Sequence, residues 1–254
     1  MKKLEDIVYG ENQQEHLLDV YLPDDKVESV FVFFHGGGLD HGSKRGAYKF
    51  APYLSERNIA VVSANYRMYP DYAFPDFLYD AANVVRWTYD YMTKEHNCDK
   101  IYVGGSSAGG YISMMLCFDQ QYLGSVGLSN KNIAGYLHDA GQPTAHFTVL
   151  KNKGIDHRRI IVDETAPLFY IGLEEKYPPM RFIVSDNDMK NRYEQIMLVL
   201  STLKHFGYEN YDHVVMHGKH TEYVGKFDEN DISVFGQMIY DFIKHTEEKI
   251  KGEQ

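Results

Sequence analysis

The run Val30-Phe-Val-Phe-Phe34 has no polar position. A strand with one face in water alternates apolar and polar side chains, so this one is expected to be covered on both faces, as in a parallel sheet flanked by helices. It stops abruptly at His35-Gly-Gly-Gly38. Lys44 to Arg57 then reads as a helix, Ile59 to Ala64 as a buried strand, Phe77 to Glu95 as a long helix and Lys100 to Val103 as a strand feeding the helix Tyr111 to Phe118. His16 to Leu22, closed by Pro23-Asp-Asp25, supplies an earlier strand, and Ile133 to Leu137, Met180 to Val184 and Tyr211 to Met216 supply later ones. Helices are expected over Lys190 to Phe206 and Asp231 to Ile250. This alternation predicts an α/β fold with a mostly parallel central sheet and helices on both faces.

The chain has 254 residues, 44% of them hydrophobic, enough for one such domain over 1–254. Gly141 to Asp163 breaks the alternation. It is polar and mixed, and is read as a small lid or loop insertion over the C-terminal edge of the sheet. Twenty-six Lys and Arg against 36 Asp and Glu give a net charge of -10, the wrong sign for a general nucleic-acid or anionic-membrane binder. The first residues place Glu5 and Asp6 where a signal peptide needs an apolar stretch, and no run approaches the roughly 18 apolar residues of a membrane span. Cys98 and Cys117 match neither a disulfide framework nor a zinc pattern. A cytoplasmic protein without nucleic-acid or membrane partners is expected. A homo-oligomer is permitted and not indicated.

Gly105-Ser106-Ser107-Ala108-Gly109 fits G-x-S-x-G between a buried strand and a helix. The backbone of such a turn folds so sharply that the residues two before and two after the serine must lack side chains, which leaves the hydroxyl of Ser107 exposed above the sheet. A helix cap or phosphate loop is the plain alternative, but neither G-x-G-x-x-G nor a P-loop ending is present. Three consecutive glycines after His35 are entropically costly and point to a close approach to the backbone. An oxyanion suits it, with the amides of Gly37, Gly38 and Ala108 as donors. Serine is nearly inert without a base oriented by a carboxylate. Asp188 and His220 follow in the order this turn requires, each after a strand, with Asp186 and His217 as their less favoured neighbours. His213, His217 and His220 fall on a strand and turn rather than a helix, so no metal site is read there.

With these motifs the chain resembles the α/β-hydrolase esterases, and is similar to the hormone-sensitive-lipase-like and feruloyl or acetyl esterase group. Asn65-Tyr-Arg67, Phe74-Pro75, Asp80 and Pro178-Pro179 follow the same pattern. The resemblance implies a triad of Ser107, Asp188 and His220 that needs no cofactor. It implies hydrolysis of a small ester, short-chain acyl or aromatic, such as an acetyl or feruloyl ester of a carbohydrate. Only 34 residues precede His35 where that group carries a cap, so long-chain lipids are not expected. Leu39 stands where an aromatic is frequent, which would widen the acyl side. Leu39, Tyr136, His138 and Tyr223 are read as substrate-binding, with His146 near them. Asp156-His-Arg-Arg159 is read as a solvated loop or as a contact for an anionic group. The rival readings are an amide hydrolase, such as an arylformamidase or small peptidase, and a noncatalytic ligand binder on the same fold.

Overall fold

Val30–Phe34 lies fourth across an eight-stranded sheet in a computed structural model that describes residues 1–252. The strands are β1 (Lys2–Val8), β2 (Leu17–Leu22), β3 (Ser29–Phe34), β4 (Ile59–Ala64), β5 (Ile101–Ser106), β6 (Gly135–Asp139), β7 (Met180–Asn187) and β8 (Tyr211–Lys219), in the order β1-β2-β4-β3-β5-β6-β7-β8. Only β2 runs against its neighbours; from β4 to β8 every pairing is parallel. The helices are α1 (Ala51–Ser55), α2 (Asp76–His96), α3 (Ala108–Phe118), α4 (Gln120–Ser125), α5 (Phe147–Asn152), α6 (Arg192–His205) and α7 (Val234–Gly252).

Strand parity splits the core into two layers. Val30, Val32 and Phe34 face a cluster with Phe77, Ile112 and Val199 of α2, α3 and α6. Phe31 and Phe33 face the opposite cluster, with Leu54 of α1 and Phe235, Ile239 and Phe242 of α7. Both faces of β3 are therefore sealed, which is why Val30–Phe34 carries no polar position.

Two parts of the chain depart from the sequence reading, and a third, 141–163, carries a short helix of its own. The single helix expected over Lys44 to Arg57 is a short 3-10 turn, Lys44–Ala47, followed by α1. Gly46 fits between His35 and Phe33, and Pro52 opens the new helix in its first turn. Strand β1 was not expected at all. It is an edge strand with five of its seven residues exposed, so it lacks the apolar signature of the inner strands. The stretch 141–163 contains α5, and residues 141–146 are fully buried. The Thr148 hydroxyl donates to the Gly38 carbonyl, and the Ala145 amide donates to Ile161 at 2.8 Å. This connection thus forms one wall beside the glycine loop.

Candidate active site

The passage from β5 to α3 bends at Ser107, whose φ of 56° and ψ of -111° lie outside the ordinary regions for an L-residue. The flanking glycines make the bend sterically allowed. A Cβ at Gly109 would stand 1.9 Å from the Phe34 carbonyl oxygen, and one at Gly105 would stand 2.5 Å from the backbone of Gly109. The Ser107 amide is anchored by the Asp139 carbonyl at 2.8 Å, so the neighbouring strand β6 holds the turn in place.

Beyond the sheet edge, three side chains meet in a line. The Ser107 hydroxyl donates to His220 Nε2 at 2.8 Å, and His220 Nδ1 donates to Asp188 Oδ1 at 2.5 Å. A register shift between β7 and β8 after Ser185, closed by a Ser185 hydroxyl bond to the Lys219 carbonyl at 2.9 Å, sets these two strand ends side by side. The Asp188 side chain is almost fully buried, and burial works against its ionisation. Hydrogen bonding and charge from His220, with amides donated by Met189 and Ser185, outweigh that and hold the carboxyl below the usual carboxylate range. Asp186 and His217 are joined at 2.7 Å as a separate, exposed pair, with no bond to Ser107.

The glycine loop abuts this line. A Cβ at Gly36 would fall 3.2 Å from the Ser107 Cβ. Gly37 and Gly38 take φ of +119° and +65°, and the Gly37 carbonyl accepts from Asp40 and His41, turning the loop back on itself. The amides of Gly37, Gly38 and Ala108 donate to no other group among the described residues. Ala108 opens α3, so its amide also carries the positive end of the helix dipole. His35 braces the loop from beneath. It is stacked on Tyr66 at 4.3 Å, and burial pulls it down to about 4, which keeps it neutral. An open groove of about 550 Å³ runs over Ser107 and His220, lined also by Gly37, Gly38, Phe147 and Met189.

None of the four side chains read as substrate-binding lines that groove. Tyr136 and His138 are fully buried on the α3 side of β6, where His138 Nδ1 meets the Ser113 hydroxyl at 2.9 Å and Tyr136 donates to Asn130 at 2.9 Å. Leu39 is fully buried in the core, and His146 is buried as the cap of α5. Tyr223 is buried and donates its hydroxyl to Asp139. For Tyr136 and His138 the reason is that a strand covered on both sides presents no free face, while Leu39 and Tyr223 turn inward into the two core layers. Asp139 was missed by the same reading. Its carboxylate also accepts from Ser106 at 2.6 Å, and complete burial pushes it up to about 6 against the pull of those two hydroxyls. The register that pairs Ser106 with Asp139 is the only signal that could have found it.

The whole-chain overlay decides the fold. Esterase B from Lactobacillus rhamnosis superimposes with a TM-score of 0.79 at 19% identity, over 99% of this chain and 88% of that one. The chain has the α/β-hydrolase fold. A thermophilic esterase from Thermogutta terrifontis gives a TM-score of 0.73 at 19% identity, covering 94% and 93% of the two chains. In sequence, residues 18–132 match the BD-FAE family model. A probable isoprenylcysteine alpha-carbonyl methylesterase, ICMEL1 of Arabidopsis thaliana, is 32% identical over 117 residues, 45% of this chain and 24% of that protein. The probable carboxylic ester hydrolase LipM of Mycobacterium tuberculosis is 33% identical over 116 residues, 43% of this chain and 27% of that protein. The match thus spans about a quarter of each of these curated relatives. The family-model match covers the glycine loop and the serine turn and stops before Asp188 and His220. No helix among the described residues is long and apolar enough to cross a membrane.

Proposed function

We propose that this α/β-hydrolase is a serine carboxylesterase acting on small esters with short-chain acyl or aromatic groups, including acylated carbohydrates. The observation that carries the reading is the unbroken line from Ser107 through His220 to Asp188, at 2.8 and 2.5 Å, at the floor of an open groove. Ser107 attacks the ester carbonyl as His220 takes its proton, and the resulting imidazolium is stabilised by Asp188. The tetrahedral oxyanion is received by the amides of Gly37, Gly38 and Ala108. His220 then passes the proton to the departing alkoxide, leaving an acyl-serine. Water, deprotonated by the same imidazole, releases the acid and restores the serine.

Esters of modest size suit the groove, whose walls are glycine backbone, Phe147 and Met189. Solved relatives point the same way, among them an Esterase B inhibited by a C4-C4 tributyrin phosphonate and a carbohydrate esterase from gut microbiota. Turnover of 4-nitrophenyl acetate tests the reading. Ser107→Ala and His220→Ala are each expected to lower kcat by roughly 10⁴-fold or more while the far-ultraviolet circular dichroism stays unchanged. Undiminished turnover in a folded Ser107→Ala protein would overturn it.

A further inference from the structure

A second cleft, of about 350 Å³, opens beside the groove and shares Phe147 and Met189 with it. One wall is the stretch 157–160, and the other is the start of α6 from Lys190 to Arg192, with Gln195 a turn further on. Three arginines, a lysine and His157 line it, and no carboxylate does. That is a marked local reversal in a chain of net charge -10. Arg158 is already held by Asp156 at 2.7 Å. Arg159 and Lys190 are exposed and enter no ion pair among the described residues.

Arg192 is buried beneath them. Its guanidinium donates to the Ala140 carbonyl and, at 3.3 Å, to the Gln142 side chain, and it too has no ion-pair partner among the described residues. Burial pulls it down to about 10, against the opposing field of Asp188, so it stays charged near neutrality. Asp188 itself is committed to His220. A buried cation without a counter-ion is costly to hold, and an anion entering the cleft would relieve it. Arginine also offers planar, forked donors that match a carboxylate or phosphate.

We propose that this cleft is an anion subsite of the catalytic groove, taking a carboxylate or phosphate carried on the ester substrate. The inference rests on the esterase reading and narrows it from small esters in general to acidic ones. Phe147 and Met189 form the rim across which the substrate reaches from Ser107 to Arg159, Lys190 and Arg192. The anionic group can belong to the acyl part or to the alcohol, and two substrate pairs separate these. 4-Nitrophenyl hydrogen adipate against its methyl ester probes the acyl side, and 4-acetoxybenzoate against its methyl ester probes the alcohol side.

At low salt the wild type is expected to favour the acidic member of one pair by about tenfold in kcat/KM, chiefly through KM. Arg159→Gln combined with Lys190→Gln is expected to cut that preference about tenfold. An equal loss on both members of each pair, or a preference that survives the double variant, would overturn the subsite while leaving the esterase standing. Should no ester turn over, the esterase reading fails, and calorimetric binding of monomethyl adipate and of benzoate to the Ser107→Ala protein judges the cleft alone. Binding of either that is lost on adding Arg159→Gln and Lys190→Gln supports it; no binding, or binding the added changes leave intact, contradicts it.

Discussion

A carboxylate sealed beneath Ser107 is held there by hydroxyls rather than by a cation. Asp139 accepts from Ser106 and Tyr223, while its carbonyl fixes the Ser107 amide. It acts as a positioning residue, since these bonds set the height of the strand end from which the turn springs. Because burial raises its folded pKa to about 6, above the ordinary 3.8, the native state binds this proton more tightly than the unfolded chain does. Its contribution to stability is complete below about pH 4 and is lost as pH rises through 6. Asp139→Asn keeps the volume and one acceptor but cannot titrate. Relative to wild type, the variant is expected to gain up to about 1.4 kcal/mol per pH unit across that window, read from urea denaturation at pH 5 and 7. Parallel pH dependences would refute this. At the residue scale the sequence was legible where chemistry imposes chain order, as for Ser107, Asp188 and His220, and silent where strand register decides, as for Asp139. Tyr136 and His138 were misread because covered strands give no periodic hint of which side chain is free. Asp80 is a further buried acid, paired bidentately with Arg67 at 2.7 to 3.0 Å. Asp80→Ala leaves the Arg67 amide without its acceptor and the guanidinium with only longer contacts to Asp76, 3.5 Å to its carboxylate, and is expected to cost roughly 2 to 4 kcal/mol in urea or thermal unfolding. A loss below about 0.5 kcal/mol would contradict the role assigned to the pair.

The β5–α3 passage is the element on which the site hangs, and its steric demand is unusually strict. Gly109→Ala would drive a methyl group into the Phe34 carbonyl on the adjoining strand, with no flexible atom to yield. About 3 kcal/mol or more of lost stability is expected, together with lost turnover, because relief requires β3 and α3 to separate. A variant as stable as wild type would show that the turn adapts more freely than its geometry implies. Inner strands were readable because they are continuous apolar runs, and the long helix α2 because its apolar positions recur at helical spacing. The edge strand β1 was not, since its exposed Lys2, Lys3, Glu5 and Asp6 carry the signature of a solvated segment rather than of a sheet. The break between Lys44–Ala47 and α1 was hidden for a different reason: Gly46 and Pro52 act through packing on His35 and through backbone geometry, which hydrophobic spacing does not report.

At the scale of the whole molecule, three of the buried histidines among the described residues are held neutral. Burial pulls His35 down to about 4, His138 to about 3 and His146 well below its ordinary value near 6.5. Stability from keeping them neutral is fully present above pH 6.5 and is lost as pH falls toward 4. Asp139 works in the opposite sense over much of that range, but one group against three leaves a net loss on acidification. The urea midpoint is therefore expected to fall from pH 7 to pH 5, and a flat or rising midpoint would contradict the buried, neutral assignment. The net charge of -10 makes the cationic cleft beside Phe147 and Met189 an exception within the chain. All of this chemistry depends on one hydroxyl being activated by one imidazole. Reaction with a fluorophosphonate probe, followed by mass spectrometry of the labelled peptides, tests that most directly. One adduct on Ser107, absent from Ser107→Ala and strongly slowed in His220→Ala, is the expected result. No adduct, or an adduct on another serine that survives Ser107→Ala, would contradict it.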